Sequence, residues 1–324
     1  MAAAGVVFYG SKLAITLPDV LTVGILAAAF DYTLKIFFPI IDISMFYAKA
    51  QGSLSAGERI FSLLDEEVTI EDAENATDFG QIRGAIEYRN VQFYYKKEHP
   101  VLPNFNLNIK AGQSIALVGA TGEGKTTIAN LVPRFYEPVH GQILIDGEDY
   151  QTKTLKSLRS QIGVVLQTPH LFSGTVQENI RFGKLDASTM EIEEALRLLG
   201  SDDFVPRLQE EVGENGENLS MGERQLIAFA RTIIANPRIF IMDEATANID
   251  TITEVKIQKG IAEMLQTRTS IIIAHRLSTI KNCDRILVIN KGKIMEDGSH
   301  TELMQQQGKY YELYTKQLRE ETMA

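Results

Sequence analysis

Hydrophobic residues follow two different patterns along the chain. Residues 22 to 41, TVGILAAAFDYTLKIFFPII, carry only Asp31 and Lys35 as charges, and a helix of about 20 residues rises roughly 30 Å, the hydrocarbon thickness of a bilayer. The segment therefore has the length and polarity of a membrane span. Hydropathy alone equally admits a buried helix of a soluble domain. The core of a signal sequence fits less well, because no positively charged start precedes the segment and no obvious cleavage site follows it. Asp31 and Lys35 stand at i and i+4, where they pair on one helix face and soften the cost of burial. Upstream, AAAGVVFYGSKLAITL is apolar but short, and it reads as the end of a preceding span. Gly10, Ser11 and Lys12 break it, and Pro18-Asp19 marks a turn. After Phe46 the residues become small and polar, and IFSLLDEE with the acidic run to Asp78 reads as a helix leaving the membrane followed by a linker. These patterns divide the chain into residues 1–50, with a last span at about 22–46, a connecting helix and linker over 51–80, and a second domain over 81–324.

From Ala85 onward the pattern changes to short apolar runs alternating with helical stretches. AIEYRNVQFYY, SIALVG, QILIDG, IGVVLQ, RIFIMD, SIIIAH and RILVIN predict the strands of an α/β domain with a mainly parallel sheet. The first of them alternate apolar and polar residues, as antiparallel strands do. Between Val176 and Asn236 only helical periodicity is present, which predicts an inserted helical subdomain.

The chemistry of the second domain is concentrated at the ends of these strands. Gly119, Ala120, Thr121, Gly122, Glu123, Gly124, Lys125, Thr126 and Thr127 form GATGEGKTT, which fits G-x-x-x-x-G-K-[ST] between the apolar strand SIALV and a helical stretch. This is the signature of a P-loop NTPase. Gly122 and Gly124 let the backbone wrap close to phosphate oxygens, successive N–H groups supply positive potential, and Lys125 adds a full charge near the β- and γ-phosphates. Thr126 is then a magnesium ligand. RIFIMD is an apolar strand that ends in a carboxylate at the sheet's carboxyl edge, where Asp243 is placed to hold the magnesium shell and Glu244 to polarise an attacking water. Alone, Glu244 would read as a solvated turn residue. Its company with Lys125 and Asp243 gives it the catalytic reading.

Composition narrows the partners. A formal net charge of -10 argues against nucleic acid, whose binding needs clustered Lys and Arg. The only cysteine, Cys283, cannot form an internal disulfide and suits a reducing compartment, which places the catalytic domain in the cytosol.

Leu219, Ser220, Met221, Gly222 and Glu223 begin LSMGERQ, which resembles the LSGGQ signature of ATP-binding cassette proteins. The other motifs follow that family's order. Tyr95 in VQFYY resembles the aromatic that stacks on adenine. Gln167 in VVLQTPHLFSGT resembles the Q-loop glutamine that reaches magnesium and the membrane domain. Asp250 in ATANID resembles the D-loop aspartate, His275 in IIIAHRLSTI the switch histidine on the γ-phosphate, and VGENG the cross-talk loop of exporters. Upstream, FFPIIDISMFYAKAQGSLSAGERIFSLLD is similar to the last transmembrane helix and connecting segment of exporters with fused permeases.

The resemblance implies an ATPase that binds ATP and Mg2+, faces the cytoplasm from an integral membrane subunit, and pairs with a second subunit to export a drug-like, lipid or peptide small molecule. Lys125, Gln167, Glu244 and His275 would be catalytic, and the signature would meet the partner's ATP. Exporter halves carry more spans before the ATPase than this sequence does, so a piece of a longer subunit is expected. Met221 replaces a signature glycine and Glu223 the glutamine. A methionine hinders close backbone approach, and a carboxylate is unfavourable near a triphosphate. These changes favour a heterodimer whose partner carries LSGGQ over a homodimer. The competing readings are a soluble cassette protein of DNA repair or translation, which needs a basic face, and a small-molecule P-loop kinase, which needs no signature.

Overall fold

The computed structural model describes residues 2–16, 21–243, 251–266, 268–273 and 277–323. The chain divides into two compact units, Met1–Thr69 and Ile70–Ala324.

The first unit contains α1 (Ala2–Thr16) and α2 (Val23–Leu64). α2 starts where the Thr22 hydroxyl accepts the Ile25 N–H at 3.3 Å, an N-cap that satisfies one of the donors a helix start leaves open. Its 42 residues rise about 63 Å, twice the thickness of a bilayer core. Among the described residues it is the one helix long and apolar enough to cross a membrane, and none of its residues is buried. Lys35 and Asp31 pair at 2.6 Å, as their spacing predicts. α1 corrects one expectation, since it runs unbroken through Gly10, Ser11 and Lys12. Ser11 Oγ donates back to the Phe8 carbonyl at 3.1 Å, a local bond that a serine makes without leaving the helix. Pro18-Asp19 lies outside the described residues.

The second unit carries β1 (Ile86–Lys96), β2 (His99–Ile109), β3 (Ser114–Val118), α3 (Lys125–Leu131), β4 (His140–Ile145), β5 (Glu148–Asp149), α4 (Leu155–Arg159) and β6 (Ile162–Val165). The helical insertion follows, with α5 (Val176–Arg181), α6 (Thr189–Leu198) and α7 (Met221–Ala235). The remainder is β7 (Ile239–Asp243), α8 (Thr251–Leu265), β8 (Thr269–Ile273), α9 (Leu277–Lys281), β9 (Arg285–Asn290), β10 (Lys293–Gly298), α10 (His300–Gln306) and α11 (Lys309–Met323).

The strands form two sheets. One is antiparallel in the order β2-β1-β4-β5, and the other has the order β10-β9-β3-β8-β7-β6. In the second, neighbouring strands from β9 to β6 run parallel and β10 closes one edge antiparallel. The central strands read as apolar runs because both faces of the parallel sheet are covered. Successive side chains point to opposite faces, so Ile115, Leu117, Ile239, Ile241, Ile271 and Ile273 join the core that includes β1 and β2. Ala116, Val118, Phe240, Met242 and Ile272 join the other core, with residues of α5 to α8 such as Ile180, Ile192, Phe229 and Ile257. β3, which leads into the phosphate loop, lies between β9 and β8 near the middle of this sheet.

The second unit begins ahead of the division expected near residue 80, and backbone hydrogen bonds give the reason. Arg134 donates to the Glu71 carbonyl at 2.9 Å, and the Leu155 N–H reaches Asp72 at 2.6 Å. Thr77 exchanges bonds with Thr152 and Thr154 at 3.1 and 3.0 Å. The Phe79 and Ile82 N–H groups are held by Ser157 and Gln161 at 2.9 Å each. The acidic residues over 71–78 give a linker pattern, yet their backbone and the carboxylates of Asp72 and Asp78 are fastened to Arg134 and to the segment that leads into β6.

Candidate nucleotide-binding site

The phosphate loop joins the end of β3 to the start of α3. Gly122 and Gly124 have φ of 85° and 99°, a left-handed backbone that glycine adopts without steric cost. Gly119 is required for a different reason, because a Cβ there would stand 2.3 Å from the Ile289 carbonyl oxygen of β9. Alanine at 119 must push the loop away from the sheet. Gly119→Ala is therefore expected to weaken nucleotide binding by about tenfold or more, a difference of about 1.4 kcal/mol. Titration with a fluorescent ATP analogue measures it, and an unchanged affinity would remove this packing from the site's requirements.

Lys125 is buried, and its ammonium donates to the Gly119 and Ala120 carbonyls at 2.7 Å each. Burial pushes its pKa down, and the nearby carboxylates of Asp243 and Glu123 pull against that shift. The Thr126 hydroxyl donates to Asp243 at 3.3 Å, which ties the start of α3 to the end of β7. Tyr95, Thr121, Gly122, Gly124, Lys125, Thr126, Thr127, Gln167 and Asp243 line one cleft of about 500 Å³, together with Val101 and Ile273. The Tyr95 hydroxyl lies 3.1 Å from that of Thr127. Its ring meets Phe93 and Tyr136 edge-on at 4.9 and 5.1 Å and remains half exposed, so an apolar face is held beside the phosphate loop.

Three loop positions face elsewhere. Gly119, Ala120 and Glu123 line a separate cavity of about 250 Å³. Glu123 turns its carboxylate onto the Lys291 N–H, and its carbonyl accepts the Gly292 N–H at 3.1 Å. Sequence reasoning did not find Val101 or Ile273. Val101 sits in β2, whose prolines hide the strand, and an isoleucine at the end of a buried strand carries no chemical signal.

The signature residues do not line this cleft. Leu219 is buried and Ser220 is the N-cap of α7, in a capping box with Glu223. The Ser220 N–H donates to Glu223 at 2.8 Å, and the Ser220 hydroxyl accepts the Glu223 N–H at 3.2 Å, an arrangement in which each residue satisfies the other's backbone. The other Glu223 oxygen takes Arg207 Nη1 at 2.6 Å. Burial raises the Glu223 pKa, but the Arg207 guanidinium and the Ser220 N–H outweigh it and hold the carboxyl below its ordinary value. The Glu223 carboxylate is thus paired within the chain, by a guanidinium that it shares with Glu210. Met221 opens α7 with its sulfur 4.0 Å from Arg224 Nη2. In the cross-talk loop, the Val212 N–H donates to the Gly174 carbonyl at 2.9 Å, which joins it to the segment after Gln167. Glu244, Asp250 and His275 lie outside the described residues.

A phosphate loop between a strand and a helix of a mainly parallel sheet, with an aspartate at the end of a strand two places away in the same sheet, defines a P-loop NTPase nucleotide-binding domain. Residues 102–247 match the ABC transporter family model. On that match and the similarities that follow, the chain carries an ABC transporter ATP-binding domain. It is 44% identical, over 92% of its length and 50% of the relative's, to the uncharacterized ABC transporter ATP-binding protein YfiC of Bacillus subtilis. It is 41% identical, over 98% of its length and 53% of the relative's, to the ATP-dependent lipid A-core flippase of Syntrophus aciditrophicus. Among solved structures it is similar to a bacterial Atm1-family ABC exporter with ATP bound, at a TM-score of 0.74 and 38% identity, covering 92% of this chain and 53% of that one. The chain spans about half the length of the curated relatives it matches.

Proposed function

We propose that this chain hydrolyses ATP to drive an exporter, as the ATPase domain and last membrane helix of one subunit. The observation that carries the reading is the convergence of Tyr95, Lys125, Thr126, Gln167 and Asp243 on one cleft. Tyr95 offers its open face to adenine, and Lys125 and the loop N–H groups bind the phosphates. Thr126, Gln167 and Asp243 present only oxygen ligands of the kind Mg2+ prefers, and they would hold it. When bound, that ion neutralises charge on the β- and γ-phosphate oxygens. Glu244 orients the attacking water, His275 contacts the γ-phosphate, and Asp250 belongs to the contact between subunits.

α2 exposes apolar residues along its length, which supports an integral membrane subunit with its ATPase in the cytoplasm and disfavours a soluble cassette ATPase. The cargo is a small molecule of lipid or drug-like character, in keeping with the lipid A-core flippase among its relatives. Nucleic acid is not a partner. The partner subunit is a second exporter chain, and Met221 favours a heterodimer in which the partner supplies LSGGQ. Glu223 adds to that preference less than an unpaired carboxylate would, because it shares Arg207 with Glu210.

Co-expression with exporter subunits carrying LSGGQ tests both levels. The pair is expected to hydrolyse ATP at least about tenfold faster than this chain alone, since each site needs a signature from the opposite subunit. Full activity of this chain alone would sink the heterodimer and leave the ATPase reading standing. ATP consumption only in the presence of a phosphate acceptor would replace the exporter with a kinase.

A further inference from the structure

Arg207 stands outside every motif the sequence singles out, at the end of the short helical turn Asp202–Arg207. Its guanidinium faces two carboxylates. Nε donates to Glu210 at 2.6 Å and Nη2 to the other Glu210 oxygen at 3.1 Å. Nη1 is left for Glu223 at 2.6 Å. The group also lies 4.9 Å from the centre of the Phe204 ring, and Phe204 is buried, so the fork is braced from below.

Both Arg207 and Glu223 keep some solvent contact, with side chains 34% and 24% exposed. An ion pair of that exposure contributes little to stability. Its position gives it a different use. Glu223 is the third residue of α7, one turn from Ser220, and an unpaired carboxylate there would repel an approaching polyphosphate. The pair with Arg207 and the Ser220 N–H bond together fold the carboxylate back onto its own backbone.

We propose that Arg207 is a positioning residue for the signature turn: it pins Glu223 and offsets part of its charge, so that a turn carrying a carboxylate in place of glutamine still accepts the triphosphate bound by the partner subunit. The inference rests on the exporter reading given under Proposed function. Arg207 itself touches no nucleotide in this account and acts only through Glu223.

The test uses the full chain with its partner in lipid nanodiscs, with Glu244→Gln present throughout to prevent turnover. Fluorescence energy transfer between labelled subunits reads the ATP concentration for half-maximal closure. Arg207→Ala is expected to raise that concentration about tenfold, which at an effective dielectric near 20 is the effect of one uncompensated charge roughly 12 Å from a phosphate. The plateau should be unchanged, and the deficit should shrink in high salt as screening weakens the repulsion. Arg207→Lys should recover most of the loss, and Glu223→Gln added to Arg207→Ala should return the midpoint close to its starting value. An unchanged midpoint in Arg207→Ala overturns the proposal. So does a double variant as impaired as the single one, or a deficit indifferent to salt, since either would make Arg207 a fold contact. Thermal melting reports whether each variant is folded. If Arg207→Ala is not, Arg207→Gln is compared with Arg207→Gln plus Glu223→Gln in the same way. Absence of any ATP-driven closure in the Arg207 parent would overturn the exporter reading along with this one, whereas normal closure in the parent with no effect of Arg207→Ala overturns this one alone.

Discussion

Lys125→Ala is expected to abolish measurable ATP binding at concentrations that saturate the native chain, whereas Glu244→Gln is expected to bind ATP normally and fail to hydrolyse it. The lysine ammonium is buried and sits between two loop carbonyls at 2.7 Å each. Removing it takes away the full positive charge of the loop and leaves those carbonyls without their donor. Losing one charge-bearing contact to a phosphate in a partly desolvated cleft costs roughly a hundredfold or more. Glu244 follows β7 directly, and its amide variant keeps size and polarity but loses basicity. General-base catalysis of this kind contributes roughly 10²–10⁴-fold. Nucleotide affinity and the rate of phosphate release, measured on both variants, separate the two roles. Native turnover in Glu244→Gln would remove Glu244 from the chemistry, and native affinity in Lys125→Ala would move the phosphate site elsewhere.

The second large effect concerns solubility. The full chain is expected to float with liposomes and to need detergent for purification, while a shortened chain beginning at Ile70 should be soluble and still bind ATP. α2 leaves Phe30, Ile36, Phe37, Phe38, Ile40, Ile41 and Phe46 exposed, and each such side chain gains about 1.5–3 kcal/mol on leaving water. Starting at Ile70 rather than Ile82 matters, because residues 71–82 carry the bonds to Arg134, Thr152, Thr154, Ser157 and Gln161. A shortened chain that begins at Ile82 should melt at a lower temperature. A full chain that remains monodisperse without detergent would show that this apolar helix is covered by protein instead of lipid.

The parts of the fold legible in the sequence are those where burial dictates composition. Strands β3, β7, β8 and β9 are covered on both faces and read as runs of Ile, Val, Leu and Phe, and the phosphate loop reads through its glycines and lysine. β2 was not legible because Pro100 and Pro103 stand within it, residues that normally exclude a strand but are tolerated at a sheet edge. β2 is such an edge. β10 holds only Ile294 and Met295 as apolar residues, adjacent instead of alternating, and it too lies at an edge. α10 and α11 carry few apolar residues and were not anticipated. The fastening of residues 71–82 runs through backbone groups, which every residue type shares, through the carboxylates of Asp72 and Asp78, which read as linker charges, and through two isolated apolar residues, Phe79 and Ile82, too few to show a pattern. Among site residues, the conjunction of Lys125, Thr126 and Asp243 was readable because their chemistry fixes their spacing. The match between Arg207 and Glu223 was not, because it depends on how the helical insertion folds back on itself.

The place of β3 in its sheet has a consequence for synthesis. This strand ends the segment that delivers the phosphate loop, yet its hydrogen-bonded neighbours are Ser270–Ile273 on one side and Arg285–Val288 on the other. Pairings so distant in sequence form late, since the intervening chain must be ordered first. On the ribosome, the loop emerges well before either flanking strand exists, and for that interval SIALV is an apolar strand with both edges open. Such edges invite pairing with other chains. A nascent chain halted before Thr269 therefore displays the phosphate-loop sequence with neither strand that flanks β3, and nucleotide capture is expected only once translation has passed β9.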